Sequence, residues 1–360
     1  MIHKNSIIKK IFIIGITGFI IGNISSIAID IDNNLVEKIN NNLTGTTWYV
    51  GGDGAGNYTY IQYAIDNASS GDTVFVYDDS SPYYENINVN KSINLIGENR
   101  ETTIIDSCGN KIVVNISVNF VNFSGFTLTN NASDWVGYYG ILLRSDNNHI
   151  FNNTINLGDG IGINLNTSYN IISSNIISNN FVGINLHFCG NNTISDNIIS
   201  KNNWGLDLVR STNNIFSGNT INSNIWRGIT LHHWSHKNIF TRNIIKSNTG
   251  SGITIFYSNQ NIISNNNFEN NEKSIGLIDS SFNKIKNNNI IGNKLDPYFH
   301  DSIGNQWRSN YWGENKKLPK LIFGSFVLIH PPAHGPGFSL EIPWINFDFF
   351  PAKKPYDIGI

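Results

Sequence analysis

A unit of about 22 residues recurs seven times between Tyr138 and Ile290, and a period of that length admits few folds. Each copy opens on a short apolar strand and continues through a polar turn into an Asn-x-apolar triplet, with a second triplet five residues after the first asparagine. The leading position runs Gly140, Gly162, Gly183, Gly205, Gly228 and Gly252, with Ser274 in the last copy. The first asparagines are Asn148, Asn170, Asn192, Asn214, Asn238, Asn261 and Asn283. The second set is Asn153, Asn175, Asn197, Asn219, Asn243, Asn266 and Asn288. Three strand candidates per copy predict one coil of a parallel β-helix. A leucine-rich horseshoe repeats at the same length, but it needs leucines at fixed spacing and a longer segment that can turn helical. These copies are Ile/Asn-rich with no helical period.

The predicted fold class is therefore all-β, a single-stranded parallel β-helix, right-handed because parallel crossovers usually are. Ile163, Leu165, Ile172 and Ile177 are expected to point inward and stack on their equivalents, a role that suits β-branched side chains. The asparagines are expected at the turns, since Asn tolerates the left-handed region and bonds nearby backbone. Stacked coil on coil, their amides can form ladders along the axis.

The ends carry different patterns. Lys4, Lys9 and Lys10 precede an apolar run from Ile11 to Ile21, followed by Ser25, Ser26 and Ala28. That order predicts a secretory signal over 1–28, with cleavage near Ala28, because the apolar core is short for a membrane span. Residues 29–47 read as a polar leader. From 48 to 137 an N-terminal cap and irregular first coils are expected. Ile61, Ala64, Ile65 and Ala68 share a helical face behind a Thr59–Gln62 capping box. Strands are expected at 87–89, 93–96, 103–105, 112–114 and 126–128. Regular coils fill 138–290. Over 291–360 Trp307, Tyr311 and Trp312 should cover the last coil, followed by a β-hairpin of 321–329 and 338–345 and a tail packed along the side.

Composition narrows the partners. The chain carries 24 Lys and Arg against 26 Asp and Glu, with no basic stripe, which argues against nucleic acid. Cys108 and Cys189 lie more than three coils apart, too far for a disulfide at roughly 4.8 Å per coil, so both should be free thiols in or near the core. Membrane contact is expected only through an uncleaved N-terminal segment. Oligomeric state is not legible.

The GI-x-L and N-x-I-x-x-N-x-I ladder resembles the parallel β-helix repeats of the NosD-type family and, more broadly, the carbohydrate-binding and sugar-hydrolase β-helices of the pectin-lyase-like fold. The segment YTYIQYAIDNASSGDTVFVY resembles the start of pectinesterase-like β-helices. NYWG and PWINFD…PAKKPYDI resemble exported archaeal β-helix proteins. The resemblance implies the fold and leaves the activity open. The pectinesterase aspartate pair and its Gly-Arg-Pro-Trp segment have no counterpart here, and the Asp-Pro-His-Asp signature of alginate epimerases is missing too.

Residues that face outward on one sheet form columns. Asn164, Asn185, Asp207, Thr230 and Thr254 fall between Ile and Leu of GI-x-L. Arg144, Asn166, His187, Val209, His232 and Phe256 follow the strand. With Trp204, Trp226 and Arg227 before the glycines, the predicted ligand-binding patch is Trp204, Asp207, Trp226, Arg227, His187 and His232. Aromatic faces beside charged and polar groups suit a carbohydrate or a cell-envelope glycan, bound at the cell surface or after secretion. The same residues could instead decorate a solvated face of a purely structural surface protein. A polysaccharide lyase or epimerase is the enzymatic alternative, with Arg227, His232 and Asp207 as catalytic candidates. A glycosidase would need a second facing carboxylate, and only Asp159, on a turn, comes near. No cofactor is expected. Calcium at Asp207 is conceivable, but a lone carboxylate is far from six to eight oxygens. A copper-binding accessory role, as the NosD resemblance suggests, would fall to His232 and His236, yet the only methionine is the initiator. Asp78, Asp79 and Glu85 read as solvated loop acids.

Overall fold

The computed structural model describes residues 45–130, 137–313, 319–329 and 340–358. The predicted export segment, leader residues 29–44 and the hairpin turn 330–337 lie outside the described residues. From Ile87 to Ile291 the described residues wind as a parallel β-helix, each coil contributing one strand to each of three stacks. Two stacks join into one 24-stranded sheet, linked by the antiparallel C-terminal hairpin, and the third is a separate sheet of 10 strands.

Inward residues stack in register on all three sides. Ile163, Ile184, Leu206, Ile229, Ile253 and Ile275 pair in succession on the first. Ile172, Ile194, Phe216, Phe240, Ile263 and Ile285 do so on the second. Ile177, Ile199, Ile221, Ile245, Phe268 and Ile290 complete the third. All are buried. The interior is thus a continuous apolar column built from like residues, with Phe216 stacked on Phe240 at 4.6 Å.

The asparagines form the expected ladders, with one correction. The left-handed residue of each turn is the one before the ladder asparagine: Asp196 has φ 56°, and Asn197 follows it into the next strand. A single left-handed residue aims the next side chain inward, so the amide works in the interior instead of relieving the turn itself. Two further ladders were not anticipated. Asn180, Asn202, Asn224, Asn248, Asn271 and Asn293 link amide to amide at the third corner. At the fourth turn the hydroxyls of Ser211, Ser235, Ser258, Ser280 and Ser302 each accept the backbone N–H of the preceding coil's residue.

At the N-terminal end, Thr47–Val50 pairs with Thr73–Val76, and helix α1, Ile61–Asn67, buries Ile61, Ala64 and Ile65. The capping box does not form. Tyr60 is the N-cap, and the Glu85 carboxylate accepts the N–H groups of Ile61 and Gln62, while the Gln62 amide bonds the backbone of Asn88. A carboxylate from the link just before strand Ile87–Val89 outcompetes the local hydroxyl because it satisfies two free helix donors at once. Asp78 and Asp79 are also engaged, accepting from Thr102 Oγ1 and from Gly52 N. The first coils fall within two residues of expectation, at Ile87–Val89, Asn94–Gly97, Ile104–Asp106, Ile112–Ile116 and Thr127–Thr129.

Beyond Ile291 the interior ends in Trp307 and Trp312, both buried, with ring centroids 6.2 Å apart. Strands Lys320–Ile329 and Leu340–Asp348 form the hairpin, and they extend the first two stacks by pairing with Tyr298–His300 and with Trp307. The tail lies along the side: Tyr356 and Asn289 exchange hydrogen bonds, and Tyr356 Oη donates to Ser309 O. Both cysteines are free. Cys189 is buried, whereas Cys108 sits at the surface on a left-handed turn.

Candidate functional site

The glycine that opens each strand of the first stack is there because backbone approaches backbone. A Cβ on Gly205 would lie 2.5 Å from Gly228 O, so no side chain fits. The residue before the glycine is turned out to a rim, where Trp204, Arg227, Ser251 and Lys273 stand in register. His187, Val209, His232 and Phe256 form the opposite rim. Between them run Asn164, Asn185, Asp207, Thr230, Thr254 and Gly276.

This middle column was expected to face solvent. Asp207 is instead 9% exposed, and Thr230 and Thr254 are 1% exposed. The larger rim side chains on both sides lean over it, so the column is the floor of a trough. Four floor atoms, Asn185 Oδ1, Asp207 Oδ1, Thr230 Oγ1 and Thr254 Oγ1, are buried with no hydrogen-bond partner in the protein. Buried polar atoms nearly always find partners, so this row, covered by the rims, is where ordered water would be held.

Trp204 and Trp226 meet edge to face at 5.2 Å, and Phe181 completes the cluster at 5.5 and 5.8 Å. Together with Ile225, Arg227, Glu272, Lys273 and the backbone of 249–251, the tryptophans line an open cleft of about 460 Å³. Arg227 lies over the Phe256 ring at 5.1 Å, and His232 stacks on the same ring at 5.2 Å. Lys273 lies 4.8 Å from the ring of Tyr298, which fills the space a Cβ on Gly276 would need. His232 Nε2 stands 3.5 Å from Asp207 Oδ1, too long for a hydrogen bond.

Burial sets the charges. It pushes the Asp207 carboxyl up to about 6 against the opposing pull of Arg227. It pushes the His232 imidazole down to about 4, helped by Arg227 and His233. Between these values the carboxyl holds a proton and the imidazole is neutral; above about 6 the carboxylate appears next to Arg227. Burial also raises the Tyr298 phenol.

Of the six residues assigned to the patch, the structure brings five together. His187 stands two coils from His232, with Val209 between them. Asp159 stays local, accepting Gly160 N. His236 Nδ1 accepts the Asn259 N–H at 2.7 Å, which turns that nitrogen away from any ion. Among the described residues no three His, Cys, Asp or Glu side chains gather as metal ligands. Sequence reasoning missed Phe181, Glu272, Lys273 and Tyr298. Lys273 was legible, since it occupies Arg227's rim position two coils on. Tyr298 was not, because it lies past the regular repeat.

A family model described as the right handed beta helix region matches residues 48–209 and 116–257. The chain belongs to the right-handed β-helix family. A second model, periplasmic copper-binding protein (NosD), matches residues 208–318 of the sequence. No curated protein matches it. Among solved structures, the Dettilon tailspike protein is 16% identical with a TM-score of 0.60, over 78% of this chain and 62% of that one. The enzymatically active domain of bacteriophage CBA120 tailspike protein 2 is 14% identical with a TM-score of 0.50, over 75% and 43%. The mannuronan C-5 epimerase A-module AlgE6 of Azotobacter vinelandii is 14% identical with a TM-score of 0.46, over 69% and 88%. These likenesses concern the fold. The β-helix spans less than two thirds of either tailspike's length.

Proposed function

We propose that this β-helix binds polysaccharide along the trough, with Trp204 and Trp226 as the stacking wall and Arg227 as the cationic contact. The observation that carries the reading is the open cleft in which that aromatic wall stands beside the charged groups of Arg227, Glu272 and Lys273. Aromatic faces cover the apolar face of a sugar ring while fixed polar groups bond its hydroxyls. The protein is proposed to act outside the cytoplasm, a reading supported by the N-terminal charge-then-apolar pattern and the match to a periplasmic family model. Binding is proposed to use side chains alone, so a chelator should leave it unchanged.

One observation favours a lyase or epimerase as the second reading. A carboxyl held up to about 6 and a neutral imidazole stand beside Arg227, which is what proton transfer next to a sugar carboxylate requires. A glycan array followed by calorimetry separates the two. Trp204→Ala with Trp226→Ala should abolish binding with the unfolding midpoint retained, and Arg227→Ala should weaken acidic glycans more than neutral ones. A double variant that binds like wild type would place the site elsewhere. New unsaturated ends or inverted uronate centres in the recovered polymer would select the enzyme.

A further inference from the structure

A terminal cap on a solenoid normally shows water a polar outer face. The C-terminal hairpin does the opposite. Leu321 pairs with Phe347 and Phe323 with Ile345, and residues directly opposite in an antiparallel pair share a face. The alternate residue Ile322 is fully buried, so the face with Leu321, Phe323, Ile345 and Phe347 points outward. Phe349 and Phe350 extend it, and all six are between 39% and 67% exposed. Phe347 stacks on Phe349 at 5.2 Å. This is the densest run of exposed large apolar side chains among the described residues.

The charges beside the face identify its occupant. Arg308 lies over the Phe350 ring at 5.6 Å, and exposed Lys353 and Lys354 follow it. Asp348, inside the aromatic run, is wholly buried and engaged by backbone and Trp312 donors. Glu341, on the same face, accepts from Ser325 Oγ, and with the exposed Asp357 it is outnumbered by the three cations beside the run. A second copy docked face to face would set two such basic rims around one contact, a like-charge juxtaposition. An anionic bilayer complements both parts, taking aromatic side chains at headgroup depth and lysines at its phosphates.

We propose that the outer face of the C-terminal hairpin is a docking surface for an anionic lipid membrane. It lies at the end of the coils opposite the strand Thr47–Val50. The face continues the outward side of the first stack, with Phe323 beside Tyr298 and Tyr298 beside Gly276, so a docked bilayer would border the end of the trough that Lys273 and Tyr298 close.

The test is co-sedimentation of the full chain with vesicles of phosphatidylcholine, with and without phosphatidylglycerol. Binding should require phosphatidylglycerol and weaken with salt. Phe323→Ser, Phe347→Ser and Phe349→Ser together should weaken it roughly tenfold or more, as lost apolar burial dictates. Lys353→Glu with Lys354→Glu should weaken it about fivefold or more per lysine. Both variants keep the N-terminal segment, so equal binding by variants and wild type would assign attachment to that segment and overturn the proposal. Absence of wild-type binding would overturn it as well. So would a stable dimer in sedimentation velocity that the serine variant converts to monomer, because a second copy would then own the face. Circular dichroism and the melting midpoint of each variant confirm that the fold is intact.

Discussion

At Asn197 one side chain meets five hydrogen-bonding demands. Its two Nδ2 hydrogens are shared among Ile172 O, Ser195 O and Asn219 Oδ1, and its Oδ1 accepts Asn175 N and Asn175 Nδ2. Two carbonyls of the interior corner and one backbone N–H depend on it, and the residue is 1% exposed. Asparagine is the side chain that fits, because it carries both donor and acceptor on a short stem without charge. The unit cost is therefore higher than that of a single lost bond. Asn197→Ala strands buried donors and acceptors, and should lower stability by about 3 kcal/mol, read as a shift in the urea midpoint. Asn197→Asp should be at least as harmful, since it replaces the donor NH₂ by a buried acceptor facing two carbonyls. An alanine variant that unfolds with wild type would mean that water replaces the amide and that the ladder is not a stabilising device.

At the level of elements, a ladder with direction needs a terminator. Each amide donates toward the following coil, so the last asparagine faces an open end. Asp348, on the second hairpin strand, occupies that place: it accepts from Ser309 N, Asn310 N, Asn310 Nδ2, Trp312 Nε1 and Phe350 N. A carboxylate suits the position because nothing beyond it needs a donor, and acceptor-only chemistry closes the chain. Glu85 acts similarly at the other end, closing the first turn of α1. Asp348→Ala should release the hairpin and the last coil, on the order of 3 kcal/mol locally. Hydrogen exchange would show it as lost protection at 306–313 with the central coils unchanged, since solenoid coils contact only their neighbours. Uniform loss of protection across all coils would instead show that the cap holds the entire stack.

On the scale of the whole molecule, stacking assembles a trough from residues more than twenty positions apart, and its electrostatics have a sign that can be checked. Burial raises Asp207 to about 6, so the folded trough holds a proton that the unfolded chain releases nearer the ordinary carboxyl value. Its contribution to stability is greatest at low pH and declines as pH rises toward 6. His232, lowered to about 4, acts in the opposite sense: its contribution is present above the ordinary imidazole value and is lost as pH falls toward 4. The two trends oppose each other across most of that window, so pH should register in binding more than in melting. Above about 6 the Asp207 carboxylate competes with an acidic glycan for Arg227. Affinity for acidic glycans should therefore rise as pH drops through 6, and Asp207→Asn should remove the dependence. Neutral glycans should show little of it. An unchanged pH profile in Asp207→Asn would assign the effect to the ligand's own titration.

The repeat alone determined the coil, the three strands within it and the inward residues. One-dimensional periodicity converts directly into stacking when every unit meets only its neighbours, and so Ile163, Ile172 and Ile177 could be assigned by counting. The columns of Trp204, Asp207, Arg227 and His232 followed from the same count, together with Lys273, which went unused. Depth does not follow from counting. Whether Asp207 faces water or lies under its neighbours depends on how far Arg227 and His232 lean across it, a property of side-chain volumes in adjacent coils. The helix cap supplied by Glu85, the ladder end supplied by Asp348 and the ring of Tyr298 over Gly276 involve segments outside the regular period. No spacing relates such partners, and only the closed tertiary structure brings them together.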